Sequence, residues 1–427
     1  MAKKRKKTFN SEKPPLPAGF ISRMEGLIGE AETKLLADAI EDDPSVSIRI
    51  NKKKVKDVET FMKRFAEYGP SPVPWCKSGF YLERRPDFIL DPLLHAGTYY
   101  VQEAASMAYE DLVENILKET EVSGRPILMA DLCAAPGGKS TAILNALDMS
   151  HILVANEIDR KRALVLRENL DKWGDPDVII TCSPTAKFRE LADLFDIVAV
   201  DAPCSGEGMM RREAVARTQW STGLISQCSS LQREILENAV ASLRPGGFLI
   251  YSTCTFNEVE NEEITDWLIS KYELELIKSD ATGGNPRHFY PHRERCEGLY
   301  IAAFRKRENM EAKRYTVRDR DEMVRILNKA GVYIISSGTE LSSRKGNLEI
   351  PSSRQVLSSN YDAGAFPPVN VSLEEARSYL RRQPLVLPAD SPKGYVCIYY
   401  DGFPLGLAKN IGSRANNLYP SEWKIHI

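Results

Sequence analysis

The chain has 427 residues, with 57 Lys and Arg set against 59 Asp and Glu for a formal net charge of −2 at pH 7. Its 43% apolar and 27% charged content is ordinary for a soluble globular protein, and the length allows two or three domains with substantial cores. No apolar run nears the ~20 residues needed to span a bilayer, and the balanced charge excludes a polyanion-binding surface spread over the whole molecule, so any grip on nucleic acid must be local.

The chain opens on Lys3-Lys4-Arg5-Lys6-Lys7, with no apolar segment behind it. It is therefore not a secretory leader. Residues 1–15 read as a flexible basic tail, the other reading being a phosphate-contacting arm. Residues 16–98 mix helical periodicity (Glu30 to Ile40) with short extended pieces such as Ser47–Ile50, and prolines at 70, 72 and 74 break them up. This is an expected N-terminal α/β domain carrying a second basic run, Lys52-Lys53-Lys54 plus Lys56.

From 99 to 307 apolar strands alternate with amphipathic helices. Strands are expected near 127–133, 151–156, 177–182, 196–201, 247–252, 273–277 and 298–305, and helices near 138–147, 159–173, 224–243 and 258–271. The pattern predicts an α/β fold, a seven-stranded and mostly parallel sheet covered on both faces. After the charged stretch 306–314, a connecting subdomain is expected over 315–372. A small β-rich module follows over 373–427, with strand-like Tyr395–Tyr400, a turn at Asp401-Gly402 and the apolar piece Pro404–Ala408. No internal repeat is visible.

Eight cysteines without a Cys-x-x-Cys pair argue against a structural zinc or a disulfide framework. They fit a reducing cytoplasm, and no metal is expected. Two of them follow strand-like runs: Cys204 in Asp201-Ala-Pro-Cys-Ser-Gly-Glu-Gly208, and Cys254 in Tyr251-Ser-Thr-Cys-Thr255. A strand–helix–strand unit sets its strands side by side, about 5 Å apart, with both carboxyl ends on the ligand-binding edge. Two thiols meeting there point to covalent chemistry on an electrophile.

The first strand runs into Leu132-Cys133-Ala134-Ala135-Pro136-Gly137-Gly138-Lys139-Ser140. The glycines let a ligand approach the backbone, and the next helix offers unpaired N–H groups. Glu157 ends the second strand about 20 residues past the glycines, where a carboxylate commonly holds a ribose diol.

Taken in order, Asp131–Lys139, Asp201–Cys204 and Ser252–Cys254 resemble the Nop/Sun family of RNA cytosine-5 methyltransferases. Arg162, Leu166, Asn169 and Gly174 match that family's helix after the ribose carboxylate, while Arg49-Ile-Asn51 and Gln102–Ser106 look like its upstream motifs. The resemblance spans residues 16 to 305. The tail, Asp401–Lys409 with Arg414–Pro420 and Trp423, looks like the PUA-like module of the bacterial RsmF branch. Enzymes of that branch methylate a cytosine of small-subunit (16S) ribosomal RNA.

The resemblance implies a Rossmann-like methyltransferase core using S-adenosylmethionine. Cys133, Ala134, Ala135, Pro136, Gly137, Gly138 and Lys139 would wrap its methionine portion, Glu157 would hold the ribose, and Asp201 would lie near the base and methyl. One departure stands out. The family's acidic residue after the third strand, which contacts adenine, is replaced by Ser183 or Pro184 in Ile180-Thr-Cys-Ser-Pro-Thr185, which leaves adenine recognition to backbone groups or implies a lower cofactor affinity.

Carbon 5 of cytosine is too weak a nucleophile to take a methyl group unaided, and a thiolate added to carbon 6 makes it enamine-like. DNA enzymes use the Pro-Cys position for this, here Cys204. The resemblance to the RNA family instead assigns Cys254 as nucleophile, Cys204 to product release and Asp201 to orienting the base. Ribosomal RNA or the small ribosomal subunit is the implied partner of a monomer with no membrane association. Arg49, Arg211, Arg212, Lys409 and Arg414 are the expected RNA contacts. Trp75, Tyr99 and Tyr100 are open to base stacking or core packing, and His292 to a substrate-side or a structural role. The rival readings are the same reaction on transfer RNA or another ribosomal site, and an idle RNA-binding assembly factor.

Overall fold

The structure, a computed structural model, describes residues 13–119, 125–277, 284–308 and 315–426, so the basic run Lys3–Lys7 lies outside the described residues. At its centre are strands that are buried at nearly every position: β5 (Ile127–Asp131), β6 (His151–Asn156), β7 (Val178–Thr181), β8 (Phe195–Asp201) and β9 (Leu243–Thr253). They run parallel, in the order β9-β8-β5-β6-β7. The chain winds outward from β5 to β7 and returns to β8 on the other side of β5, which opens a crevice at the carboxyl ends of β5 and β8.

Antiparallel strands extend both edges. β12 (Leu299–Lys306) pairs with β9 and carries β10 (Leu274–Leu276) and β11 (Arg287–Phe289), while β13 (Ile334–Ser337) pairs with β7. The sheet therefore has nine strands rather than the seven expected. The two additions are three and four residues long, too short to show a period, and β13 is only half-buried.

Helices cover both faces as the alternation requires. On one lie α5 (Ala108–Lys118), α6 (Gly138–Ala146) and α7 (Arg160–Trp173). On the other lie α8 (Ala186–Arg189), α10 (Thr222–Ser242), α11 (Glu262–Lys271) and α12 (Arg320–Lys329). Val317, Met323 and Leu327 are fully buried against this second face. The first part of the expected connecting subdomain thus completes the central sheet instead of linking it to the tail.

The N-terminal sheet has the order β2-β3-β1-β4, from β1 (Val46–Ile50), β2 (Ser71–Val73), β3 (Cys76–Leu82) and β4 (Tyr99–Val101), with the short helices α3 (Val58–Met62) and α4 (Pro92–His95) beside it. Tyr99–Val101 belongs to this sheet, so its border runs later than residue 98. A helical hairpin, α1 (Ala18–Ile28) and α2 (Glu30–Glu41), packs separately against Met210, Trp220 and Phe256, near α9 (Ala214–Gln219). Beyond the hairpin β14 (Ser342–Lys345)–β15 (Leu348–Pro351), the tail forms a sheet of β16 (Pro368–Asn370), β17 (Gly394–Tyr400), β18 (Phe403–Asn410) and β19 (Ala415–Asn417), backed by α13 (Leu373–Leu380).

All three parts meet at the end of α7. The Lys172 carbonyl accepts from Lys54 Nζ (2.6 Å), the Trp173 carbonyl from Asn51 Nδ2 (2.9 Å) and the Gly174 carbonyl from the Ser359 amide (2.7 Å). A Cβ on Gly97, at φ +69°, would lie 1.8 Å from the Lys172 oxygen, so only glycine allows this approach. Most of the second basic run is spent on internal partners. Lys52 pairs with Glu110 and Glu114, Lys53 with Asp175, and burial pushes the Lys54 amine down to about 7.

Candidate active site

The turn after β5 sets the shape of the site. Gly137 (φ +113°) caps α6 with no side chain on the terminus, so the first amides of the helix face outward. The turn is held from behind: Arg162 Nη2 donates to the Ala135 carbonyl (2.9 Å), Asn169 Nδ2 to that of Pro136 (2.8 Å), and Gln102 Nε2 to that of Gly138 (3.0 Å). A cavity of about 210 Å³ opens against it, lined by Cys133, Ala134, Ala135, Pro136, Gly138, Lys139 and Asp201, with Tyr100 to Glu103 and Ser106 opposite. Tyr100 is thus a cavity wall. Glu157, at the end of β6, is buried, accepts from the Asp159 amide (3.0 Å) and pairs with Arg162 (3.2 Å).

Beside the cavity, Lys139 Nζ sits 2.8 Å from Asp201 Oδ1. Ser252 Oγ donates to the same oxygen (2.7 Å), and the Tyr109 hydroxyl bonds Ser252 Oγ (2.8 Å). Burial works against the Lys139 ammonium, but the Asp201 carboxylate outweighs it and raises its pKa. Asp131 is fully buried at the base of the turn. Ser140 Oγ donates to its Oδ2 (2.6 Å), Oδ1 has no partner among the described residues, and burial pushes its carboxyl up to about 7.

Adjacent parallel strands β8 and β9 deliver the two thiols to one spot. Cys204 Sγ and Cys254 Sγ lie 3.2 Å apart, both half-buried and both unbridged. The Cys204 thiol is pushed well above its usual range, first by the Cys254 sulfur against it and then by burial.

Two buried carboxylates lock the loops that carry these sulfurs. Glu207 Oε2 accepts from Thr255 Oγ1 and from the amides of Phe256 and Asn257, while Glu260 Oε2 accepts from the Ser205 amide and Gln232 Nε2. The Gly208 amide donates to the Cys254 carbonyl (2.8 Å). Each loop is held by a carboxylate belonging to the other. Sequence reading passed over Glu207, Glu260, Ser252 and Tyr109, although Glu207 and Ser252 stand inside the two cysteine motifs and were readable there.

Two expected RNA contacts, Arg49 and Arg211, are corrected by their burial. Arg49 is fully buried, donating to Gln102 Oε1 (2.7 Å) and Thr141 Oγ1 (2.6 Å), so it fastens the N-terminal sheet to α6. Arg211 is 8% exposed and donates to the carbonyls of Asp42 and Cys296. Arg212 stays near the surface but bonds Ser45 and Glu297. Trp75 is buried with its indole N–H on the Ala104 carbonyl, and Tyr99 is buried with its hydroxyl on Asp91. His292 pairs with Glu32 of α2 at 2.9 Å, which ties the helical hairpin down. Lys409, over the Tyr395 ring, and exposed Arg414 remain at the surface of the tail sheet.

Among the described residues no group of three or more His, Cys, Asp or Glu side chains is placed to hold a metal ion, and no helix is long and apolar enough to cross a membrane. Family models match in three stretches: 16S rRNA methyltransferase RsmB/F over 119–305, the N-terminal domain of 16S rRNA methyltransferase RsmF over 16–104, and the methyltransferase RsmF PUA domain over 366–425. The chain is 31% identical over 437 residues to ribosomal RNA small subunit methyltransferase F of Enterobacter sp. (strain 638), covering 88% of this chain and 89% of that one. It is 32% identical to the protein of the same name from Klebsiella pneumoniae (strain 342), with the same coverage. A solved methyltransferase homologue from Pyrococcus horikoshii is 30% identical with a TM-score of 0.58, over 67% of this chain and 94% of that one.

Proposed function

Because this chain belongs to the RsmF family of 16S rRNA methyltransferases, we propose that it transfers a methyl group from S-adenosylmethionine to carbon 5 of a cytosine in small-subunit ribosomal RNA. The transfer proceeds through a transient bond between Cys254 and carbon 6. The observation that carries this reading is the 3.2 Å approach of the two sulfurs at the ligand edge of the sheet, next to the Lys139–Asp201 pair.

The residues present fit the cofactor. The outward amides of α6 suit a carboxylate, the buried unpartnered oxygen of Asp131 suits an ammonium, and Glu157 suits a ribose diol. When bound, S-adenosylmethionine supplies an electrophilic methyl group.

The target cytosine must leave its stack to reach the edge. Asp201 Oδ1 is taken up by Lys139 and Ser252, which leaves Oδ2 to orient the ring through a proton shared with nitrogen 3. By its resemblance to the RNA family Cys254 is the sulfur that attacks, while the adjacent Cys254 sulfur and then burial keep the proton on Cys204 in the resting enzyme. Carbon–sulfur bond formation turns Cys254 into a neutral thioether and removes the largest cause holding that proton on Cys204. Once carbon 5 carries the methyl group, Cys204, its own proton released to solvent, takes the proton from carbon 5 as the Cys254–carbon bond breaks and its electron pair returns to sulfur.

The test is adduct formation with RNA containing 5-azacytidine, read as a protein band retarded in denaturing gels. Cys254→Ala abolishes both adduct and methyl transfer. Cys204→Ala allows a stable RNA adduct to accumulate even on unmodified RNA. Loss of activity without trapping in both variants would overturn the assignment of roles. Absence of 5-methylcytosine in small-subunit RNA after reaction would overturn the reading as a whole.

A further inference from the structure

Beyond Glu157, the next stop on the ligand edge is the carboxyl end of β7, where the nucleobase of a ribose held by Glu157 must lie. Most of its polar groups are already committed. The Ser183 amide donates to Asn156 Oδ1 (3.1 Å) and its carbonyl accepts from Asn156 Nδ2 (3.0 Å). The Cys182 amide donates to the Tyr333 carbonyl (2.8 Å), and Ser183 Oγ accepts from the Tyr333 amide (2.8 Å). Pro184 has no N–H to offer. Asp159, the nearest carboxylate past Glu157, is turned to the Arg162 amide as the cap of α7.

What remains open is apolar. Ile158 is 66% exposed and Tyr333 55% exposed, two large hydrophobic side chains left bare at neighbouring strand ends. Cys182 lies between them, its thiol on the Ile158 carbonyl (3.5 Å) and its backbone on Tyr333. Cys182 and Tyr333 are opposed across an antiparallel pair, so their side chains emerge on the same face.

We propose that Ile158, Cys182 and Tyr333 form the nucleobase wall of the cofactor site, so that adenine is held by its faces and its exocyclic amine is left unread. This rests on S-adenosylmethionine being the cofactor. It gives the segment after residue 315, which lies outside the stretch matched by the methyltransferase model, a direct part in holding the ligand. It differs from the expectation that backbone groups recognise the base.

Calorimetric titration of the full chain with S-adenosylhomocysteine and its N6-methyl derivative tests this. Tyr333→Ala weakens S-adenosylhomocysteine about 10-fold, within the range of base–aromatic stacking, whereas Tyr333→Phe stays within about 2-fold. The substitution spares the backbone bonds, so an unchanged Tm separates lost contact from lost fold. Wild-type protein binds the N6-methyl derivative within about 3-fold of the parent, because the wall holds the base by its faces. Indifference to Tyr333→Ala, or a loss of 10-fold or more on N6-methylation, overturns the wall while leaving the cofactor in place. Failure of the wild-type chain to bind S-adenosylhomocysteine overturns both.

Discussion

Asp131 stands where a carboxylate is costly. Its surroundings are dry, Ser140 is its sole hydrogen-bond donor from a side chain, and its pKa rises to about 7. An acid whose pKa is raised on folding binds its proton more tightly in the folded state than in the unfolded chain between about pH 4 and 7. Stability therefore falls as pH climbs through that window, with the full penalty present above it. At about 1.4 kcal/mol per pH unit of displacement, the ceiling is roughly 4 kcal/mol. In the cofactor-free protein, Asp131→Asn should raise Tm by several degrees at pH 8 and hardly at pH 4. An equal gain at both values would show that charge is not the cause. At this scale the sequence exposes chemistry but not burial. The cysteines and Glu157 were legible because a motif fixes their place on a strand end. Arg49 was not, since a guanidinium reads the same on paper in solvent or, as here, buried over the Trp173 ring.

Among elements, the paired loops after β8 and β9 are the most exacting. A Cβ on Gly208 would meet three backbone oxygens, those of Cys254 at 3.0 Å, Glu297 at 3.2 Å and Gly298 at 3.3 Å. None belongs to a side chain that can swing away. Gly208→Ala should therefore shift the Cys254 loop by a few tenths of an ångström and lower kcat by about 10- to 100-fold, misplacement of reacting groups being costly. Cofactor affinity should not change, because the glycine turn is untouched, and single-turnover kinetics with parallel calorimetry would check both. The seven strands expected from apolar runs are all present, with helix ends within a few residues. The exception is α11, which begins at Glu262 rather than 258, since residues 258–261 form the turn that carries Glu260. β11 and β13 escaped notice because their burial comes from partners distant in the chain and not from their own composition.

For the whole molecule, the sheet does not end where its sequence motifs do. Val317, Met323, Leu327 and Val332 bury themselves against Leu128, Val154 and Ile179 of the sheet and its neighbours. At about 1.5–3 kcal/mol for each large apolar side chain, removing them forfeits roughly 6–12 kcal/mol, comparable with the entire stability of a domain. A chain ended at Glu308 should therefore be aggregated or lack a cooperative thermal transition by circular dichroism. Survival of a sharp transition would show that the segment is dispensable. Three regions were readable from changes of pattern, yet the amphipathic stripe of α12 names no partner, so its allegiance to the sheet emerged only in three dimensions.

The junction at the far end of α7 has a consequence for how a large substrate is met. That helix leaves Glu157 at one end and, 14 residues or about 21 Å later, is gripped by both outer parts of the chain through its last carbonyls. Its tip is seated so closely that a methyl group on Gly97 would not fit. Any swing of an outer part about this joint, as a large substrate docks, would have to break those carbonyl bonds.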